Sequence, residues 1–231
     1  MARIPAAERR VELIDAAVLV IAENGVDGAT TRRIADRAGA PLATLHYCFA
    51  SKELLFGAVY ERIAAGYREV LTESDVHGDV ATTARGLMRG ILEWYVAHPE
   101  ISSAIFELIS WAQRQDAAKA TGIYDQAGDT VRSILSADAA AAGERVDAAT
   151  IDRLATAIAA LSDGFAINWM VDRSTGKAMD IDLAISMLDA WMAANLADES
   201  GAGVDDREHQ PAEVSESGGS LASLVSWVDV G

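Results

Sequence analysis

Apolar residues recur three and four positions apart along most of the chain, and the alternating Val, Ile and Thr runs that mark strands are almost absent. A chain with this single period must bury helical stripes against one another, so the expected fold is all-α, with about nine helices. At 231 residues, 51% of them hydrophobic, the chain has material for one large or two small domains.

The first helix is expected over about 7–23, with Val11, Ile14, Ala17, Val18 and Ile21 on one face and a stop at Asn24-Gly25. Two short helical patterns follow within TTRRIADRAGAPLATLHYCFASKELL, residues 30 to 55. Thr30 or Thr31 caps the first, which turns Ile34, Ala35 and Ala38 inward and Arg32, Arg33 and Arg37 outward. Gly39 permits a sharp turn, and Pro41 suits the start of the next helix, where its missing N–H costs nothing.

At 100° per residue, Leu42, Leu45, Cys48 and Phe49 fall on the inner side of that second short helix. Ala43 and Tyr47 then centre its outer side, flanked by Thr44 and His46. Such a rod is about 12 Å long, which suits the B-DNA major groove, about 12 Å wide. The pair reads as a helix-turn-helix. A fourth helix is expected from Ser51, a plausible N-cap, to about Leu71, with Leu55, Ala58, Val59 and Ile63 inward.

A formal net charge of -16 speaks against nucleic acid when taken whole, because phosphate binding is driven by Lys and Arg. The first sixty residues, however, hold seven basic and seven acidic groups, so the entire excess lies after residue 60. Exposed charges farther apart than about 8 Å are largely screened at physiological salt, and a distant acidic body leaves a locally basic surface free to act. Taken alone, Arg32, Arg33 and Arg37 would read as a solvated helix face. Their placement in the motif favours phosphate contact.

The same residues resemble the DNA-binding domain of the TetR family of transcriptional regulators. The resemblance covers about residues 8 to 65 and rests on the amphipathic first helix, TTRRIADRAG, the short helix ending Leu45-His46-Tyr47-Cys48-Phe49, and Ser51-Lys52-Glu53-Leu54-Leu55. It implies that Thr31 and Lys52 grip phosphates, that Arg32 and Arg33 approach the groove, and that Ala43, Thr44, His46 and Tyr47 line the recognition surface. It further implies a repressor that binds double-stranded operator DNA and is released by a small-molecule effector, working as a homodimer through the last two long helices.

Those helices are expected at about 148–172 and 180–197. The first carries an apolar stripe, Ile151, Leu154, Ile158, Leu161 and Phe165, and a small-residue face, Ala155, Ala159, Ser162 and Ala166, that would admit a partner helix. The second carries Ile181, Ile185, Leu188 and Met192. Earlier helices are expected at about 80–97, 100–114 and 117–142, with His98-Pro99 dividing the first two.

The expected organisation is a helix-turn-helix domain over 1–52, a ligand-binding and dimerisation domain over 53–198, and an acidic, Gly- and Ser-rich disordered tail over 199–231. Bulky residues in the body, Met88, Trp94, Tyr95, Phe106, Trp111, Tyr124, Phe165 and Trp169, are the candidate lining of an effector pocket. Asp163 interrupts an apolar stretch and needs water, a cation or a donor.

Other classes find little support. Cys48 is the single cysteine, so neither a disulfide framework nor a thiolate metal cluster is available. His46 and Cys48 are two apart and splay on a helix, unlike an i, i+4 metal pair. There is no Gly-rich phosphate loop, HExxH or nucleophile elbow, which leaves a small helical enzyme as a weak alternative with no catalytic residues, cofactor or metal to assign. An effector-independent regulator or activator is the other alternative. No run of about eighteen uncharged apolar residues is evident, and the charged start lacks a signal-peptide pattern, so a cytoplasmic protein is expected.

Overall fold

Nine α-helices account for nearly all of the structure, a computed structural model that describes residues 5–73, 78–115 and 117–196, of 117–124 the backbone alone. They are α1 (Ala6–Gly28), α2 (Thr31–Arg37), α3 (Leu42–Cys48), α4 (Lys52–Glu73), α5 (Val80–Ala97), α6 (Pro99–Gln115), α7 (Ala117–Ala142), α8 (Ala148–Asp172) and α9 (Ile181–Asn195). A 3₁₀ turn, Arg173–Thr175, follows α8, and there is no strand among the described residues. The expected acidic tail lies outside the described residues.

Local chemistry sets these boundaries. Gly25, at φ 67° and ψ 170°, breaks the helical path of α1 before its last turn, as the Asn24-Gly25 signal requires. At the end of α2, Gly39 has φ 59°, its N–H reaches the Asp36 carbonyl, and the Ala40 N–H reaches back to Ala35 at 2.9 Å. That is a Schellman closure, and it buries Ala40. Aspartates cap three body helices: Asp79 receives the Thr82 N–H, Asp147 that of Thr150 and Asp180 that of Leu183.

The first three helices enclose a small core of Leu13, Ala17, Ile21, Ile34, Leu45 and Phe49, joined by Val26 and Ala29. Leu42 and Val11, expected inside, stand 39% and 48% exposed. The other expected residues of α1, Ile14, Ala17, Val18 and Ile21, are buried, and Leu13, Ala16 and Val20 join them in a broader stripe that leaves out Val11 near the start of the helix. Cys48 is half-buried against this core.

α5 is the central helix of the body and packs on α4, α7, α8 and α9. It buries Leu87, Met88, Ile91 and Leu92 completely. Two polar contacts hold it in register: buried Thr83 donates to Asp138 of α7 at 2.6 Å, and the Val80 N–H donates to Glu144 at 2.9 Å. α1 lies along α6, so the N-terminal helices and the body meet within one compact unit.

The small-residue face of α8 is used inside the chain. Ala155, Ser162 and Ala166 are buried in the fold, and Ala159 faces a cavity. The uncovered apolar side chains are instead Ile167 and Val171 on α8 and Leu183 and Met187 on α9. The segment Ala148–Thr175, at a mean hydropathy of 1.4, is long and apolar enough by composition to cross a bilayer. Abundant alanine raises that mean without forming the continuous Leu and Ile run sought in the sequence, and a core helix of a bundle meets the same criterion.

Candidate DNA-reading head and effector cavity

The head presents α3 outward on a rigid base. Tyr47 is 83% exposed, Ala43 and His46 are exposed and Thr44 is half-buried, while Leu45 and Phe49 are buried beneath them. The base is braced by Arg10 of α1, whose Nη1 donates to the Cys48 carbonyl at 2.7 Å and whose guanidinium lies 4.1 Å from the Phe49 ring centroid. Nothing in the local pattern of α1 marks this contact of Arg10, which lies 38 residues away along the chain.

The cations around α3 are partly held by the chain itself. Thr30, rather than Thr31, caps α2 by accepting the Arg33 N–H at 3.3 Å, and the Arg33 side chain donates to the Gly28 carbonyl at 2.9 Å. Arg37 pairs with Glu23, which removes it from the groove side. Arg32 stands exposed and Thr31 half-buried at the start of the same helix. Ser51 caps α4 through the Leu54 N–H, as its sequence position suggests. Beside it, Lys52 donates to the Val26 carbonyl at 3.1 Å and lies 4.9 Å from the Phe56 ring centroid.

In the body, a cavity of about 280 Å³ opens where α4, α5, α6, α7 and α8 converge. Small residues make the room: Ala64, Ala127, Gly128, Ala155 and Ala159. Ile105, Ile109, Val131 and Ile158 supply apolar wall, and Tyr60, Tyr67, Arg68, Tyr95, Arg132 and Asp163 bring polar groups to it. The Tyr95 hydroxyl donates to Asp163 at 3.1 Å, so the carboxylate within the apolar stretch has its donor. Arg132 is paired with Asp129 and Asp152. Burial, with a smaller contribution from Glu61, pushes the Tyr60 phenol up, so it is a neutral donor at physiological pH.

Of the aromatic and methionine side chains expected here, Tyr95 alone among the described residues lines this cavity. Met88 is fully buried in the core on α5. Trp94 packs edge-on against Tyr67 and borders a separate groove between α1 and α4, and Trp111 packs edge-on against Phe56. Phe106 stacks at a tilt on Tyr95, Phe165 is half-buried against the core, and Trp169 is half-buried on α8. The Tyr124 side chain lies outside the described residues. Large side chains in a helical bundle fill space, whereas the hollow forms where small ones face each other. The facing Ala-Gly positions on α7 and α8 were the signal that could have found it.

A helical head with an exposed recognition helix on a body with an internal cavity defines a helix-turn-helix regulator. Residues 13–59 match the model of the tetR family of bacterial regulatory proteins. Over 195 residues the chain is 30% identical to the nicotine-responsive transcriptional repressor HdnoR of Paenarthrobacter nicotinovorans, covering 82% of this chain and 97% of that protein. The chain belongs to the TetR family and is a ligand-responsive DNA-binding repressor. A solved TetR-family member from Streptomyces coelicolor A3 is 27% identical, with a TM-score of 0.62 over 79% of this chain and 97% of the other. The multidrug binding protein EbrR, solved with imidazole, is 26% identical, with a TM-score of 0.57 over 79% of this chain and 94% of that one.

Proposed function

We propose that residues 1–52 act as the operator-reading head and 53–198 as the effector-binding and dimerisation body, and that a homodimer sets two α3 helices into successive major grooves. The observation that carries this reading is the outward face of α3, with Tyr47 83% exposed above buried Phe49. Ala43, Thr44, His46 and Tyr47 read base edges, Arg32 enters from the side, and Thr31, Arg33 and Lys52 hold phosphates. Arg33 and Lys52 exchange backbone carbonyls for phosphate oxygens on binding, which their long flexible stems permit.

Dimerisation runs through α8 and α9, by way of Ile167, Val171, Leu183 and Met187 rather than the small-residue face. Two heads must lie about 34 Å apart to reach successive half-sites. A small molecule in the cavity among α4 to α8 favours a different head spacing, because α4 lines the cavity and carries Lys52 at its start. The ligand must bind that second state better, or it shifts nothing. A coupling of about 1–3 kcal/mol changes operator affinity about 5- to 150-fold. Nothing in this cycle requires chemistry on the ligand, and operator binding implies action in the cytoplasm.

Gel shifts at modest salt with DNA fragments surrounding the gene for this chain test the reading. Retention of one fragment, with release by a compound that also raises Tm, is expected. Retention of none counts against it.

A further inference from the structure

The charge arrangement in the cavity bears on the kind of effector. α4 turns Tyr60, Ala64, Tyr67 and Arg68 toward the hollow, spaced i, i+4, i+7 and i+8 along one face. Arg68 Nη1 is shielded from solvent and has no hydrogen-bond partner, and the Arg68 side chain makes no ion pair among the described residues. The other cavity arginine differs: Arg132 is held by Asp129 and Asp152. Arg68 is half-buried, but a guanidinium nitrogen shielded from water without an acceptor is costly, and an acceptor placed in the cavity relieves it.

Two carboxylates also border the space, Asp125 and Asp163. Asp125 is exposed at the rim, where water solvates it. Asp163 accepts the Tyr95 hydroxyl. Asp163 is therefore supplied with a donor and Arg132 with acceptors, while Arg68 Nη1 has no acceptor among the described residues. A cationic amine, as nicotine is for the similar repressor, would add a donor where one exists already and leave Arg68 uncompensated.

Resting on the reading of this cavity as the effector site, we propose that the effector is a small apolar carboxylate whose anionic head pairs with Arg68. Its hydrocarbon or aromatic part lies against Ile105, Ile109, Val131 and Ile158. Tyr60, a neutral phenol on the same face of α4, donates to the ligand as a second, weaker contact. The anion thereby sits on the helix that begins with Lys52, about 24 Å away along its axis.

Matched probes on the full chain test this: benzoate, phenylacetate and hexanoate; their amides; and benzylamine and nicotine as cations. Calorimetric titration and Tm are read for wild type, Arg68→Gln, Arg68→Lys and Ala159→Phe, the last filling the hollow. The expected result is binding of at least one carboxylate, no binding of its amide, and a loss of about 10- to 100-fold in Arg68→Gln. Arg68→Lys should recover part of that loss, and Ala159→Phe should abolish binding.

Amines or amides that bind wild type and Arg68→Gln alike, and are blocked by Ala159→Phe, would overturn the carboxylate while leaving the cavity as effector site. Carboxylate binding unchanged in both Arg68→Gln and Ala159→Phe would place the anion elsewhere and overturn the proposal. So would failure of every carboxylate probe to bind wild type. Because Arg68 Nη1 has no partner to lose among the described residues, the Gln variant is expected to fold, and its urea melt without ligand checks this.

Discussion

The Glu107 carboxylate on α6 accepts the backbone N–H of Val26, 3.3 Å away at the end of α1, and the carbonyl of the same Val26 accepts from Lys52 at 3.1 Å. One residue is thus gripped from the body on one side and from the start of α4 on the other. Gly25, in its left-handed conformation, brings the chain close enough for this: a Cβ there would come within 3.3 Å of the Glu107 carboxylate. The arrangement ties the attitude of the head to α6, which itself borders the cavity through Ile105 and Ile109. Glu107→Ala is expected to lower stability by about 1 kcal/mol, since the bond is only part-buried. It should also reduce the difference in operator affinity with and without effector. Operator titrations in both conditions check this, and an unchanged ratio refutes the link.

Tyr47 and Phe49 are two residues apart and face opposite ways. Tyr47→Ala should leave stability within about 0.5 kcal/mol of wild type, as exposed positions generally do, while weakening operator binding. Phe49→Ala should cost about 3–5 kcal/mol, because it empties a core position and removes the ring beneath Arg10. Urea melts paired with gel shifts separate the two effects. Arg32→Ala should behave like Tyr47→Ala and flatten the salt dependence of binding as well.

Val171 is 73% exposed and Met187 47% exposed on adjacent helices. Isolated apolar residues on a surface are ordinary; under the dimer proposed above, these side chains on two packed helices belong to its interface. Val171→Asp combined with Met187→Asp is expected to shift sedimentation from dimer to monomer. A carboxylate pair buried without partners is far costlier than the patch is worth. Operator affinity should fall with it, because one head holds only a half-site. A double variant that sediments as wild type would redirect the interface to another face.

Asp79 caps α5, accepting the Thr82 N–H at 2.7 Å. Side-chain and then backbone hydrogen bonds from Thr82 hold its carboxyl below the ordinary range. A group whose folded pKa is depressed stabilises fully above its unfolded pKa, about 3.9, and the contribution fades as pH falls through the lower folded value. Asp79→Ala should therefore cost about 0.5–1 kcal/mol near neutral pH, at the low end for caps because the site is exposed. The gap between wild type and variant should narrow as pH is lowered below the ordinary carboxylate range. Denaturant midpoints of both proteins across that range measure it.

Helix number, helix order and the reading face of α3 follow from information within one or two turns of chain. Gly39, Pro41, Ser51 and the spacing of Ile34, Leu45 and Phe49 act through local backbone geometry and the 3.6-residue period, so their consequences were legible in the residues alone. The cavity depends on which small side chains of α4, α7 and α8 come to face one another, and pairings between residues 60 and 160 are long-range contacts that no local period encodes. The same holds for the choice of α8 face: packing against α5, α7 and α9 decided that Ala155 and Ala166 turn inward and leave Ile167 and Val171 uncovered. Arg10 beneath α3 and Arg68 half-buried at the cavity likewise look like ordinary charged residues in the sequence. Their roles depend on the neighbours that burial brings to them.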